Sequence, residues 1–283
     1  MATIIALVDG SIYSRSVCEH AAWIAGRTAA SVELVHVLGR REAAGSADLS
    51  GSIALGARTA LLAELAAQDE QRARLAQQRG RAILDDARTL LTQAGVTEVA
   101  TRLRTGDVVE TVAELEARAD MLVIGKRGEA ADFAKLHLGS NLERVVRSST
   151  RPVLVAARGF RPIGRFLIAF DGGASSMKAV DHVARSPLFA GLACRLLMAG
   201  ADDAAARKRI EDAQAQLRGA GYDVTAELVP GTPETVIARA VDDGGADLLV
   251  MGAYGHSRMR SLIIGSTTSE MIRSCKVPVA LFR

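Results

Sequence analysis

The chain repeats itself. "ADMLVIGKRG" at 119–128 aligns with "ADLLVMGAYG" at 246–255, 127 residues on. "LGSNLERVVRSSTRPVLVAAR" at 138–158 aligns with "IGSTTSEMIRSCKVPVALFR" at 264–283, 126 residues on. Near the front of each copy, "TIIALVDGSIYSRSV" at 3–17 matches "FLIAFDGGASSMKAV" at 166–180, and Asp171 follows Asp9 by 162. An internal repeat of this length constrains the fold strongly, because each copy has to be a unit that can recur. The shift between the two offsets, 162 against 127, gives the first copy about thirty-five extra residues before its Gly-rich segment. A length of 283 residues suits two domains at roughly 100–200 residues each. The join falls near 158–164, where Gly159, Pro162 and Gly164 punctuate the chain, giving domains at 1–158 and 164–283.

Each copy alternates short apolar runs with helical patterns. Strands are expected at 3–8, 32–37, 98–104, 121–125 and 153–157, then at 166–170, 194–199, 223–229, 247–252 and 278–282. Helices are expected at 14–28, about 55–94, 107–118 and 139–149, then at 174–186, 203–219, 233–243 and 265–274. Apolar strands separated by helices form a parallel sheet covered on both faces. The expected fold is α/β: two tandem doubly wound, five-stranded, mostly parallel sheets of Rossmann-like form. The first copy carries a helical insertion at about 40–95, rich in Ala, Leu, Gln and Arg, all good helix formers, and ending at Gly95. The small polar stretch before it reads as a loop, with Arg40 and Arg41 a solvated pair.

Composition excludes several functions. Aromatics are 4% and the net charge is +3, which supplies neither stacking platforms nor a basic footprint for nucleic acid. No apolar stretch reaches the ~18–20 residues a membrane span needs. "TIIALVDGS" has no basic region before it and no cleavage site after it, so it reads as a buried strand rather than a signal peptide. Cys18, Cys194 and Cys275 are far apart with no CxxC, which disfavours structural zinc and fits a reducing, cytoplasmic setting.

The Gly-rich segments carry the chemistry. In open α/β sheets ligands bind beyond the carboxyl ends of the strands. In the second copy three parts meet there: Asp171 at one strand end, Gly252 at another, and a helix start at Gly265, Ser266, Thr267 and Thr268. Free N–H groups and the helix dipole attract phosphate, and a glycine lets backbone approach it. Gly252 and Gly255 let the loop leaving the strand wrap a sugar and phosphate, or else only turn the chain. GxxxxGK[ST] is absent and no GxGxxG follows a first strand, against a P-loop NTPase and a dinucleotide dehydrogenase.

"GAYGHSRMRSLIIGSTT" fits a G-2x-G-9x-G-(S/T) pattern, and in this it resembles the universal stress protein (Usp) family. "VDGS" at 8–11, "HV" at 36–37, "RPVLVA" and "VPVALF" look like further landmarks of that family, so the resemblance spans nearly the whole chain. It implies a tandem Usp protein that binds ATP or AMP, with Mg2+ as a companion ion. It also implies that the halves pair through their last strands as an internal pseudo-dimer, with a homodimer of chains left open. Carried over by position, Ala169 and Asp171 flank the adenosine, Asp171 near base, ribose or a metal, and Met198 lies beside the adenine. Met251, Gly252 and Gly255 wrap ribose and phosphates, and Gly265, Ser266, Thr267 and Thr268 hold the phosphate chain. In the first copy Leu7, Asp9, Val37, Ile124, Gly125, Gly128, Gly139, Ser140 and Asn141 stand in the corresponding places.

The copies depart from the pattern differently. The first has ten residues between its later glycines and brings in Glu129 and Asp132, which repel phosphate. Asn141 and Leu142 replace hydroxyl positions there. The second reads Asp-Gly-Gly at its first strand end, losing the serine that Ser11 supplies, and "LLMAGADD" at 196–203 replaces His-Val. The second copy is read as the main nucleotide site, and the first as a weaker site, an AMP site or a packing partner. His256 either touches a phosphate or is an exposed loop histidine. Lys126 and Arg127 either face phosphates in the first copy or, the favoured reading, form a solvated pair balancing Glu129 and Asp132; Arg258 and Arg260 read as steering charges, and Cys18, His20 and Trp23 as core or edge residues of the first helix. No catalytic set is visible; an Asp near ATP and metal would support slow hydrolysis at most. The leading expectation is a cytoplasmic stress protein regulated by adenine nucleotide, with an unknown protein partner. An adenylating or nucleotide-hydrolysing enzyme and a nucleotide-free scaffold are the alternatives; "DGGASS" at 171–176 is only an echo of an adenylation loop.

Overall fold

The computed structural model describes residues 2–39, 55–126, 139–253 and 266–283. The first half contains β1 (Thr3–Leu7), α1 (Ser14–Thr28), β2 (Ser31–Leu38), α2 (Leu55–Gln93), β3 (Val99–Thr105), α3 (Val108–Leu115), β4 (Met121–Gly125), α4 (Ser140–Ser148) and β5 (Val153–Ala156). The second half contains β6 (Arg165–Phe170), α5 (Ala174–Arg185), β7 (Ala193–Ala199), α6 (Ala204–Gly219), β8 (Val224–Val229), α7 (Pro233–Ala240), β9 (Leu248–Gly252), α8 (Ser266–Ser274) and β10 (Val279–Phe282). Two expected helices close early in tighter or wider turns: α3 gives way to a 3-10 turn at Glu116–Arg118, and α7 to a π turn at Val241–Gly245.

The described strands form one sheet in the order β3-β2-β1-β4-β5-β10-β9-β6-β7-β8. Within each half all pairs are parallel. The halves join through an antiparallel β5–β10 pair, with Val279 opposite Val155 and Leu281 opposite Val153. Both joining strands are buried along their whole length, so "VLVA" and "VALF" are apolar at every position. The outer strands β3 and β8 carry Arg and Glu at exposed or half-buried positions, which discourages further edge pairing.

Period-2 alternation splits the core into two layers. Val17, Leu84, Val180 and Ile210 place α1, α2, α5 and α6 on one face. Val112, Val145, Ile237 and Met271 place α3, α4, α7 and α8 on the other. The 39 residues of α2 would reach about 58 Å at 1.5 Å per residue. Among its described side chains the buried ones are Gly80, Leu84, Ala87 and Leu91, close to its C-terminus. They stand 126 residues before Ala206, Ile210, Ala213 and Leu217, the buried stripe of α6. The C-terminal part of the 40–95 segment is therefore the crossover helix common to both halves, and the extra length is its N-terminal extension.

Cations cross the seam in both directions. The Lys126 ammonium, at the end of β4, donates to the carbonyl of Cys275 at the C-terminus of α8. The Arg283 guanidinium donates to the carbonyl of Arg147 in the last turn of α4. A positive charge at a helix C-terminus meets the negative end of the dipole. Lys126 is buried, so the expected solvated pair with Arg127 is corrected; Arg127 lies outside the described residues. Arg27 donates to the carbonyls of Leu188, at 2.5 Å, and Ala190, while its guanidinium lies 5.9 Å from the Trp23 ring. Trp23 is half-buried at the edge of the core, whereas Cys18 and His20 are fully inside.

Candidate functional site

The strand order places a topological switch between β1 and β4, and another between β6 and β9, because the chain leaves each first strand to one side and later returns to the other. The antiparallel seam sends the two sets of carboxyl ends to opposite edges of the sheet.

At each switch the first strand ends in an Asp-Gly turn. Asp171 Oδ1 accepts from Gly173 N at 2.8 Å and from Ser176 Oγ at 2.5 Å. Asp9 Oδ1 accepts from Ser11 N at 3.0 Å and from Ser14 Oγ at 3.2 Å. A backbone N–H, not the Ser11 hydroxyl, fills the first role in both copies, so the Gly173 replacement leaves that contact in place. The serine that matters lies five residues after each aspartate, in the following helix. Ser14 and Ser176 were absent from the sequence reading, although "DGSIYS" and "DGGASS" display the shared spacing. Gly10 and Gly172 adopt φ +78° and +75°, the left-handed region that glycine reaches without a Cβ penalty.

Gly252 has a packing reason of its own. A Cβ there would lie 2.6 Å from Ser176 N and 2.8 Å from the Ser175 carbonyl carbon. The glycine thus lets the start of α5 sit against the end of β9, beside Asp171.

The floor of the second site is set by register. Ala169 pairs with Met251 on one side and Leu197 on the other, and all three face the α7/α8 layer. Met198 belongs to the opposite layer, against α5 and α6. The structure therefore does not bring Met198 beside Ala169 and Met251; Ala199, half-exposed at the strand end, takes that face. The same register holds in the first half. Leu7 and Val37 are half-buried against the α3/α4 layer, with Ile124 buried in it and Gly125 half-buried at the end of β4. Val37 corresponds to Ala199 and His36 to Met198, each 162 residues apart. His36 Nδ1 bonds to the Val8 carbonyl at 2.7 Å, so it is held within the fold.

The last helices supply the roof. In the second half the Thr267 hydroxyl donates to Glu234 Oε1 at 2.5 Å, and the Ser266 hydroxyl lies 3.4 Å from the same oxygen. These bonds, Thr267 foremost, lower the Glu234 pKa below the ordinary carboxylate value. Thr268 is buried, so it faces the layer rather than the crevice. In the first half Gly139 caps α4 and its N–H donates to the Lys126 carbonyl at 3.3 Å, bringing the two ends of the Gly-rich segment together. Asn141 is exposed on the first turn, next to Ser140. One turn on, Arg144 pairs with Asp107, the N-cap of α3, at 2.8 Å and lowers its pKa. Arg104 stands beside Val37 in the sheet, with its buried Nε lacking a hydrogen-bond partner. Neither Glu234 nor Arg104 was singled out in the sequence, because neither belongs to a motif.

Gly128, Gly255, His256 and Gly265 lie outside the described residues, as do Glu129, Asp132, Arg258 and Arg260. Among the described residues no group of three His, Cys, Asp or Glu side chains is arranged to hold a metal. The three thiols are buried, which pushes Cys18 and Cys194 up to about 12 and Cys275 to about 11, so none is a nucleophile at neutral pH.

The sequence pattern of the Universal stress protein family matches residues 1–157 and again 162–283. The chain belongs to the universal stress protein family. It is 37% identical over its whole length to a universal stress protein of Synechocystis sp., and it covers all of that protein. It is 27% identical over 138 residues to a universal stress protein of Mycobacterium tuberculosis, covering 41% of this chain and 92% of the relative. Its fold matches that of a universal stress protein from Archaeoglobus fulgidus with a TM-score of 0.75 at 20% identity, over 99% of this chain and 98% of the other. The tandem Usp architecture, two α/β halves built on mostly parallel strands, is thus shared with a relative of full length. No helix among the described residues is long and apolar enough to cross a membrane.

Proposed function

We propose that this tandem Usp chain binds an adenine nucleotide, ATP or AMP, mainly in its second domain, and acts in the cytoplasm as a nucleotide-dependent stress regulator or protective factor. One observation carries the reading: at the carboxyl end of the sheet each half sets an Asp-Gly turn, an apolar strand end half-buried at Leu7 and Val37 in the first half and at Ala199 in the second, and a helix start with polar side chains. An apolar floor suits the faces of adenine, and a helix start with hydroxyls suits phosphate. In the second domain the base rests over Ala169 and Ala199, Asp171 faces the ribose, and the phosphates approach Ser266 and Thr267. The first crevice, with Leu7, Val37 and Asn141, has the smaller share of binding. Nucleotide ordering of the Gly-rich segment is the switch, since a ligand shifts an equilibrium only by its differential affinity for the two states.

The test is direct. The protein is purified gently and denatured, the released nucleotide is identified, and ATP is titrated into wild type, Gly265→Val and Gly139→Val. Bound adenine nucleotide and a large loss of affinity in Gly265→Val are expected. Affinity that is indifferent to both substitutions overturns the reading. Loss confined to Gly139→Val reverses the ranking of the halves.

A further inference from the structure

A cavity of about 390 Å³ lies at the seam between the halves, away from both carboxyl-end crevices. Its apolar wall includes Ile4 and Met121 at the starts of β1 and β4, Ile24 of α1 and Leu188 beyond α5. Asp120, Asp181, His182 and Arg185 reach it from the polar side. Ligand pockets commonly measure about 300–1,000 Å³ and combine apolar walls with a few convergent polar groups.

The internal repeat supplies a control within the same molecule. Shifted by 162, Ile4 becomes Phe166, His182 becomes His20 and Arg185 becomes Trp23. On that related side the space is filled. Phe166 is fully buried, 5.0 Å from Phe189 and 6.1 Å from Tyr222. Phe160, from the segment joining the halves, meets His20 edge-on at 5.1 Å, and His20 has no exposed surface. On the cavity side an isoleucine stands in place of Phe166 and an arginine in place of Trp23, so aromatic filling is missing where the repeat predicts it.

The polar side is biased toward a cation. Asp120 Oδ2 accepts from Thr3 N at 2.8 Å, and Asp181 Oδ1 accepts from Gln216 at 2.5 Å, which leaves each carboxylate a second oxygen. Arg185 is the single cation among the described lining residues, while nearby Arg27 is committed to the Leu188 and Ala190 carbonyls. His182 packs its ring 4.9 Å from Phe282, and burial lowers its pKa, so it offers neutral nitrogens and an aromatic face. Two carboxylates against one guanidinium leave the described lining net acidic.

We propose that this seam cavity is a binding site for a small amphipathic amine: an apolar or aromatic body seated on Ile4, Ile24, Met121 and Leu188, with a protonated nitrogen held by Asp120 and Asp181. The site belongs to the tandem arrangement, since α1, β1 and β4 come from one half and α5 from the other.

Phenethylamine and phenylacetate serve as probes with the full-length chain, read by calorimetry and by saturation-transfer NMR. Phenethylamine is expected to bind one per chain, with phenylacetate at least about tenfold weaker, because attraction to two carboxylates is replaced by repulsion from them. Ile4→Phe, which copies the filled half, is expected to abolish phenethylamine binding while leaving the melting temperature unchanged or higher. The double variant Asp120→Asn, Asp181→Asn is expected to weaken phenethylamine tenfold or more and to remove the preference over phenylacetate. Should Ile4→Phe fail to fold, the double variant decides alone. Equal binding of amine and carboxylate, or amine binding that survives the decisive variant, overturns the proposal. So does the absence of saturable amine binding up to the millimolar range.

Discussion

Glu234 offers a sharp test of the proposal that the second crevice receives phosphate. Its carboxylate holds the Thr267 hydroxyl at 2.5 Å and lies 3.4 Å from that of Ser266, the two donors proposed for the phosphates. A bound triphosphate must displace it or share those donors with it. Two unit charges about 4 Å apart interact by ~4 kcal/mol at an effective dielectric near 20. Glu234 is half-exposed, so screening leaves on the order of 1–2 kcal/mol of repulsion. Glu234→Gln keeps the shape and removes the charge, so ATP affinity should rise by roughly 5- to 30-fold, at about 1.4 kcal/mol per factor of ten. Adenosine, which lacks phosphate, should bind the variant and wild type alike. The apo protein gives a second reading. The folded pKa of Glu234 is depressed, so its stabilisation is present above the unfolded value and is lost as pH falls through the folded one. Glu234→Gln should therefore melt below wild type at pH 7, and the gap should close as the pH drops below the carboxylate range. Calorimetric titration of ATP and adenosine, with melting curves from pH 3 to 7, measures both effects. Unchanged or weaker ATP binding in the variant, with adenosine unaffected, would refute the placement of phosphate at Ser266 and Thr267.

Two further outcomes follow from packing. Gly252→Ala sets a methyl group 2.6 Å from backbone at Ser176, which the end of a helix cannot rotate away from, so the variant should lose about 1–3 kcal/mol. Thermal melting checks it, with a fall of roughly 2–4 °C per kcal/mol expected for chains of this size; an unchanged melting temperature would show that α5 does not approach β9 so closely. The three thiols, with pKa values pushed up to about 11–12 by burial, should react with a thiol-specific disulfide reagent only after denaturation. Rapid labelling of one thiol in the native protein would place it at the surface.

Most of the architecture was legible in the sequence because it is written twice. Fully buried parallel strands have to be apolar throughout, so "TIIAL", "MLVIG" and "VLVA" stand out, and the repeat of each confirms its neighbours. The seam was also foreshadowed, through the family resemblance, in the pairing of last strands. Long-range polar contacts were not legible. Lys126 looks like a solvated cation beside Arg127 until the fold carries it to the C-terminus of a helix 149 residues on. Glu234 sits in an unremarkable "TPET", and only the packing of α7 beside α8 brings it to Thr267.

Met198 shows what a shift of one position does in a strand, since it faces the α5/α6 layer while Ala169 and Met251 face the other. Carried over by position, Met198 of "LLMAG" stands beside the adenine, one position before Ala199, the residue that the 162 offset pairs with Val37. In a helix one position turns the side chain by about 100°, a partial error. In a strand it moves the side chain to the other face of the sheet, a complete one. The internal repeat already held the correction, since an offset of 162 pairs Asp171 with Asp9, Ala169 with Leu7 and Ala199 with Val37. Applied strictly, that offset excludes Met198 and selects a residue so small that no motif would nominate it. The cavity at the seam rests on the same offset. A duplicated chain supplies its own control, and positions where the copies differ in size, such as Ile4 and Phe166, are where one half can hold something that the other cannot.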